Sequence, residues 1–152
     1  MLLTPDMKDL IALLEREKVR YVMVGGLAVN YYGYMRTTQD VDILIFPSAE
    51  NADKMAVVLE DFGFGQAGIS KKLFEQEKAA IHLGTEPNRI DLLTSLKGIS
   101  NEEIFRHAKR ITYSGVSMRI ISYKDLLACK KSSDRLKDRA DVEELEKGKH
   151  RI

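Results

Sequence analysis

Apolar and polar positions alternate along the chain in two rhythms, and the switches between them mark out short helices and strands. Leu10, Ile11, Leu13 and Leu14 recur at helical spacing behind Thr4 and Pro5. That predicts a first helix capped by Thr4, with Pro5 in its first position. "RYVMV" is a short β-rich run ending at Gly25-Gly26, and "LAVNYY" returns to helical spacing until Gly33. "DVDILIF" reads as a strand closed by Pro47. Ser48 opens a helix that runs to about Asp61 and is ended by Gly63 and Gly65, with a loop from there to Ser70. "KAAIHL" and "RIDLL" form two strands joined by "GTEPN", whose Gly, Pro and Asn favour a turn. "NEEIFRHAKR" is a short helix, and "ITYS" and "VSMRII" flank Ser114-Gly115 as a hairpin. Ser122 and Asp125 make a capping box for "YKDLLACKK", and a last charged helix is expected from about Ser133 to Lys147.

Strands alternate with helices at first and pair as hairpins later. The expected architecture is α+β, a mixed β-sheet flanked by helices. There is no internal repeat and no low-complexity linker, and 152 residues suit one domain spanning 1–152. An apolar content of 44% supplies a core, and 31% charged residues supply a hydrated surface. The net charge of +1 gives no overall field toward nucleic acid or a membrane, so any charged partner must be met by a local patch. Cys129 is the one cysteine, which excludes an internal disulfide; its apolar neighbours make it a buried helix residue. No run approaches the roughly 18 apolar residues of a membrane span. "MLLTPDMKDL" lacks the basic-then-apolar pattern of a leader, so the expected location is the cytoplasm, with no membrane.

The chemistry concentrates in "DVDILI". Alternate strand residues share a face, so Asp40, Asp42 and Leu44 lie together, polar at one end and apolar further in. Two like charges so close repel in a dry site and become tolerable with cations between them. Two Mg²⁺ ions about 3.5–4 Å apart need bridging carboxylates, and Mg²⁺ prefers oxygen ligands. Asp91 lies between Ile90 and Leu92, where an isolated charge is costly. If its strand lies beside that of Asp40 and Asp42, three carboxylates converge, although the sequence leaves that adjacency open. The plainer reading of Asp40 is a turn or cap residue at a strand start.

Gly25-Gly26 stands between a strand and a short helix, where glycine lets backbone amides approach a phosphate. A tight turn accounts for the pair equally well. The spacing matches neither a dinucleotide fingerprint nor a Walker loop. A glycine pair after a strand, a short helix and then Asp-x-Asp resembles the nucleotidyltransferase fold of the DNA polymerase beta superfamily. The closer likeness is to its small prokaryotic members, including those related to toxin–antitoxin nucleotidyltransferases. Gly25, Gly26, Ala28, Gly33, Arg36, Thr38, Asp40 and Asp42 match that pattern, and Asp91 stands at its third carboxylate. In the tail "KKSSDRLKDRADVEEL", Lys130, Arg135, Lys137, Asp138 and Asp141 match as well.

The resemblance implies transfer of a nucleoside monophosphate from an NTP to an acceptor, with release of pyrophosphate. Asp40, Asp42 and Asp91 would be catalytic and would hold two Mg²⁺ ions, with Mn²⁺ as the alternative. Gly25, Gly26, Arg36, Thr38, Lys130, Arg135 and Asp138 would serve the nucleotide. The acceptor stays open among a protein hydroxyl, a tRNA end and a small molecule. A cognate antitoxin or partner subunit belongs to the same set of expectations. The competing reading is an inactive nucleotide- or partner-binding module of the same fold. Lys130–Asp134 and Lys137–Asp141 also read as i,i+4 pairs on a solvated helix. His82 and His107 read as structural, and His150 as part of a tail. Tyr31, Tyr32 and Tyr34 read as packing around the short helix, with base stacking as the alternative.

Overall fold

Hydroxyl side chains set most helix starts. In the computed structural model, which describes residues 2–148, Thr4, Ser48, Ser100 and Ser122 each accept a hydrogen bond from the backbone N–H three residues on. This satisfies one of the free amides of a first helical turn. The resulting order is α1 (Pro5–Arg16), β1 (Tyr21–Val24), α2 (Gly25–Tyr31), β2 (Asp40–Ile45), α3 (Ala49–Asp61), a 3₁₀ turn (Lys71–Glu75), β3 (Ala80–Leu83), β4 (Arg89–Leu93), α4 (Asn101–His107), β5 (Lys109–Tyr113), β6 (Val116–Ile120), α5 (Tyr123–Lys131) and α6 (Leu136–Lys147). Helices α2 and α6 start without such a cap. Val24 runs extended into Gly25, which takes φ +63°, and no side chain caps the turn.

The strands form one six-stranded sheet in the order β3-β4-β2-β1-β6-β5. β2 runs parallel to β4 and β1 parallel to β6, while the other neighbours are antiparallel, so the expected mixed sheet is present. β1 and β2 lie in the middle of the sheet, and β1 is buried along its whole length. Leu10, Ile11 and Leu14 of α1 join Met55 and Val58 of α3 in a core with Val22, Ile43 and Ile45. Asn51 locks the far end of β1 and β2: its amide accepts from Arg20 N and donates to Arg20 O and Phe46 O. That lock helps fix register, and register decides function here. A slip of one residue would turn Asp40 and Asp42 onto the opposite face.

Three boundaries differ from the expectation. Helix α4 stops at His107, because Lys109 and Arg110 pair across to Ile120 and Arg119 as strand β5. The last helix begins at Leu136 rather than Ser133, with Arg135 as its cap. Lys71–Glu75 forms a 3₁₀ turn that buries Phe74, a residue the strand and helix patterns had left unassigned. Cys129 is only partly buried. No helix among the described residues is long and apolar enough to cross a membrane. His150 lies outside the described residues.

Candidate active site

The adjacency left open by the sequence is supplied by β2 and β4. They pair in parallel with Asp40 opposite Arg89 and Asp42 opposite Asp91. Opposed residues in register point to the same face, so the three carboxylates converge. Their nearest oxygens all lie within 4.8 Å of one another. On the other side, β1 places Val24 opposite Asp42, and the chain then turns sharply into α2. A Cβ at Gly25 would lie 2.0 Å from Asp42 Oδ2, and one at Gly26 would lie 2.6 Å from Thr38 Oγ1. The glycine pair is therefore demanded by close approach of the site itself. Thr38 donates from Oγ1 to the carbonyl of Asp40 at 3.2 Å and holds the entry into β2.

The charges are unevenly answered. Burial, then the neighbouring charges of Asp40 and Asp91, push the Asp42 carboxyl up to about 7 against the opposing pull of Lys130. A carboxylate set so short of counter-charge suits a divalent cation, which would be held by oxygens from Asp40, Asp42 and Asp91. Asp40 and Asp91 have a protein cation instead. Arg89 Nη2 donates to Asp40 Oδ2 and to Asp91 Oδ2, both at 3.0 Å. His82, opposite Asp91 on β3, brings Nδ1 to 2.6 Å from Asp91 Oδ1. Arg89 and His82 were not legible as site residues. The one local signal was that Arg89 shares a strand face with Asp91, and no motif marks His82.

The basic tail behaves differently from its sequence reading. Arg36 makes a two-pronged ion pair with the fully buried Asp141, at 2.7 and 2.9 Å. Lys130 Nζ lies 2.9 Å from Asp138 and 3.1 Å from Asp141. Neither expected i,i+4 pair forms. Lys130 lies in the last turn of α5, which ends at Lys131, and Asp134 sits in the connector, so helical spacing does not relate them. Asp141 is taken by Arg36 and Lys130, not Lys137. Burial pushes the Asp138 carboxyl up, but hydrogen bonds from Ser133 and Lys130 outweigh it and carry it below its ordinary value. Arg135 stays outside this cluster, 70% exposed, with Nε 3.9 Å from Asp138.

Two cavities meet at the carboxylates. The larger, about 630 Å³, opens over Asp42 and Asp91 between an apolar wall of Val24, Leu93, Leu96 and Leu126 and a polar rim that includes Lys97 and Arg135. The smaller, about 140 Å³, has polar walls that include Gly26, Thr38, Asp40, Lys130 and Lys137. None of Tyr31, Tyr32 and Tyr34 lines either one. Tyr32 is buried and donates to the carbonyl of Ile121 at 2.7 Å, and Tyr31 meets its ring edge-on, as packing requires. His107 pairs with the buried Asp125 at 2.9 Å and ties the end of α4 to the start of α5.

Comparison with known proteins agrees with this arrangement. No curated protein matches the chain. Among solved structures, the lincosamide antibiotic adenylyltransferase LnuA, lincomycin-bound, shares the fold at a TM-score of 0.60 and 18% identity, over 96% of this chain and 98% of that one. A family profile described as "Nucleotidyl transferase of unknown function (DUF2204)" matches residues 4–151. A mixed sheet that sets three carboxylates beside a glycine turn, matched by that profile over nearly its whole length, makes this chain a member of the DUF2204 nucleotidyl transferase family.

Proposed function

We propose that the protein transfers a nucleoside monophosphate from an NTP to a hydroxyl of a small-molecule acceptor, in a Mg²⁺- or Mn²⁺-dependent reaction. The observation that carries this reading is the β2–β4 register, which gathers Asp40, Asp42 and Asp91 at the wall of the smaller, polar cavity, with Asp42 and Asp91 also facing the larger one. The acceptor oxygen attacks the α-phosphorus, the bond to the bridging oxygen breaks, and pyrophosphate leaves. A divalent cation, when bound, neutralises charge on the phosphates and on the attacking oxygen. Asp40 and Asp42 would hold it, and Asp91 would complete the set and accept the proton of the acceptor hydroxyl. Gly25 and Gly26 admit the close approach of Asp42 and Thr38, and their backbone amides would meet the phosphates. Arg135 is placed to meet phosphate from the rim, whereas Arg36, Lys130 and Asp138 act by holding α6 against the site.

A small acceptor is favoured by the size and half-apolar wall of the larger cavity, which is in the range of small-molecule sites. The solved relative is named for such an acceptor, an antibiotic, which points the same way. The test is incubation with each α-labelled NTP, Mg²⁺ or Mn²⁺, and three separate acceptor pools: cellular small molecules, tRNA and protein. Label is expected in the small-molecule pool and absent with Asp42→Asn. Release of no pyrophosphate from any NTP with any pool would leave the inactive binding module as the better reading.

A further inference from the structure

Arg89 stands between Asp40 and Asp91, where a cation shared by those two oxygens would also sit. A single nitrogen, Nη2, is shared between Asp40 Oδ2 and Asp91 Oδ2 at 3.0 Å each. The same side chain places Nε 2.9 Å from Asp91 Oδ1, too poorly aligned to count as a hydrogen bond. With His82 Nδ1 at 2.6 Å on Oδ1, both oxygens of Asp91 are engaged by protein groups. Mg²⁺ binds oxygen at about 2.0–2.1 Å, so an ion bonded to both carboxylates would overlap Nη2. The two cations are mutually exclusive there.

The strand pairing makes the position of Arg89 no accident of a floppy side chain. Its Cα is fixed opposite Asp40 by the parallel register. The arm itself is 30% exposed, and its outer nitrogen Nη1 lies 3.7 Å from Glu86 Oε1, on the surface loop just before β4. Glu86 is 52% exposed. An outward rotation therefore meets a waiting carboxylate and buries no unpaired charge. Lys130, the other cation near Asp42, is tied to Asp138 and Asp141 and is not free to replace it.

We propose that Arg89 is a built-in counter-ion that holds the place of the divalent cation between Asp40 and Asp91 and yields it by swinging toward Glu86. The inference rests on the metal reading of the three carboxylates given above. In metal-free protein Arg89 answers Asp40 and Asp91 and leaves Asp42 unpaired, and affinity for the ion is lowered by the fraction of molecules in which Arg89 points inward. An arm that is inward nine times in ten weakens apparent affinity about tenfold.

The test is Mn²⁺ binding at fixed pH, read from the electron paramagnetic resonance signal of the free ion, with no nucleotide and no turnover. Arg89→Gln is expected to bind Mn²⁺ about tenfold more tightly than the parent, since the competing arm is gone. Glu86→Gln removes the outward partner and is expected to bind about two- to threefold more weakly, the scale of one exposed ion pair. Without metal, Arg89→Gln is expected to melt below the parent and to recover on adding Mn²⁺. Equal or weaker Mn²⁺ binding by Arg89→Gln overturns the proposal, as does tighter binding by Glu86→Gln, which keeps the test open should Arg89→Gln fail to fold. Asp42→Asn separates the two layers: if it abolishes binding while Arg89→Gln changes nothing, the metal site stands and the counter-ion role falls. Mn²⁺ binding that survives Asp42→Asn overturns both.

Discussion

Replacing Asp42 with asparagine removes one negative charge from a cluster of three while keeping the shape of the side chain. Its carboxyl is carried from an ordinary 3.8 up to about 7, by burial first and by Asp40 and Asp91 next. A displacement of that size has a ceiling of about 4 kcal/mol, at about 1.4 kcal/mol for each pH unit. Part of the repulsion is shared with its two neighbours and screened by solvent in the cavity, so a gain of about 2 kcal/mol is expected for metal-free Asp42→Asn at pH 8. The folded-state value lies above the unfolded one, so the native protein holds the proton more tightly. The parent is therefore least stable above about pH 7 and gains stability as pH falls from there toward 4. Asparagine does not titrate, so the advantage of the variant is largest at pH 8 and shrinks toward pH 4. In a chain of this length about 2 kcal/mol corresponds to roughly 4–8 °C in melting temperature. The assay is thermal unfolding in chelator at pH 8 and pH 5, repeated with Mn²⁺, which is expected to raise the parent alone. A variant less stable than the parent at pH 8, or an advantage of equal size at both pH values, would mean that Asp42 supports the fold and is not a strained ligand.

Mn²⁺ affinity of the parent is expected to rise with pH and level off above about 7, because the ion must displace the Asp42 proton; calorimetry across pH 5.5–8.5 (roughly the span over which such a carboxyl titrates) checks it. Lys130→Ala should lose about 3 kcal/mol of stability in urea unfolding, the low end for breaking a buried ion pair, since Arg36 still answers Asp141. Gly25→Ala should lose metal binding, because its Cβ meets Asp42 at a positive φ, whereas Gly63→Ala, also at positive φ but in open space, should cost about 1 kcal/mol of stability and leave metal binding alone.

What the sequence displayed were the local parts of this machine. The period-two run from Asp40 to Ile45, the glycines that end β1 and the hydroxyl caps are short-range patterns, and each formed where it was expected. The pairings between them are not short-range. Asp42 meets Asp91 only because β4 inserts beside β2, and His82 meets Asp91 only because β3 then folds back on β4. No periodicity encodes either neighbour, so the triad was conditional and His82 passed for a structural residue. The pairing of Arg36 and Lys130 was hidden for a related reason. The charge surplus of the tail and the place of Arg36 before Asp40 suggested phosphate, whereas their shared partner Asp141 is buried and lies 105 residues from Arg36. A charge count cannot tell a cation waiting for a ligand from one already held by a distant carboxylate.

Arg36 and Lys130 are matched by Asp138 and Asp141, so this group is close to neutral and adds little net attraction for a triphosphate. Arg89 is matched by Asp40 and Asp91. Among the described residues, the cations left to face the two cavities are Lys97, Lys137 and the exposed Arg135, all toward the rims. A bare triphosphate brought to such a site would confront three carboxylates against Arg89, with only solvent-screened cations at the rims to add to it. A triphosphate arriving with its own divalent ion would instead bring the charge that Asp42 lacks and, under the counter-ion proposal, would displace Arg89 from between Asp40 and Asp91. Nucleotide affinity in this protein should therefore depend on the metal far more than on any single basic residue: omitting Mn²⁺ should weaken NTP binding by more than Arg135→Ala does with the ion present. Equal losses in the two experiments would place the triphosphate on the basic rim and away from the carboxylates.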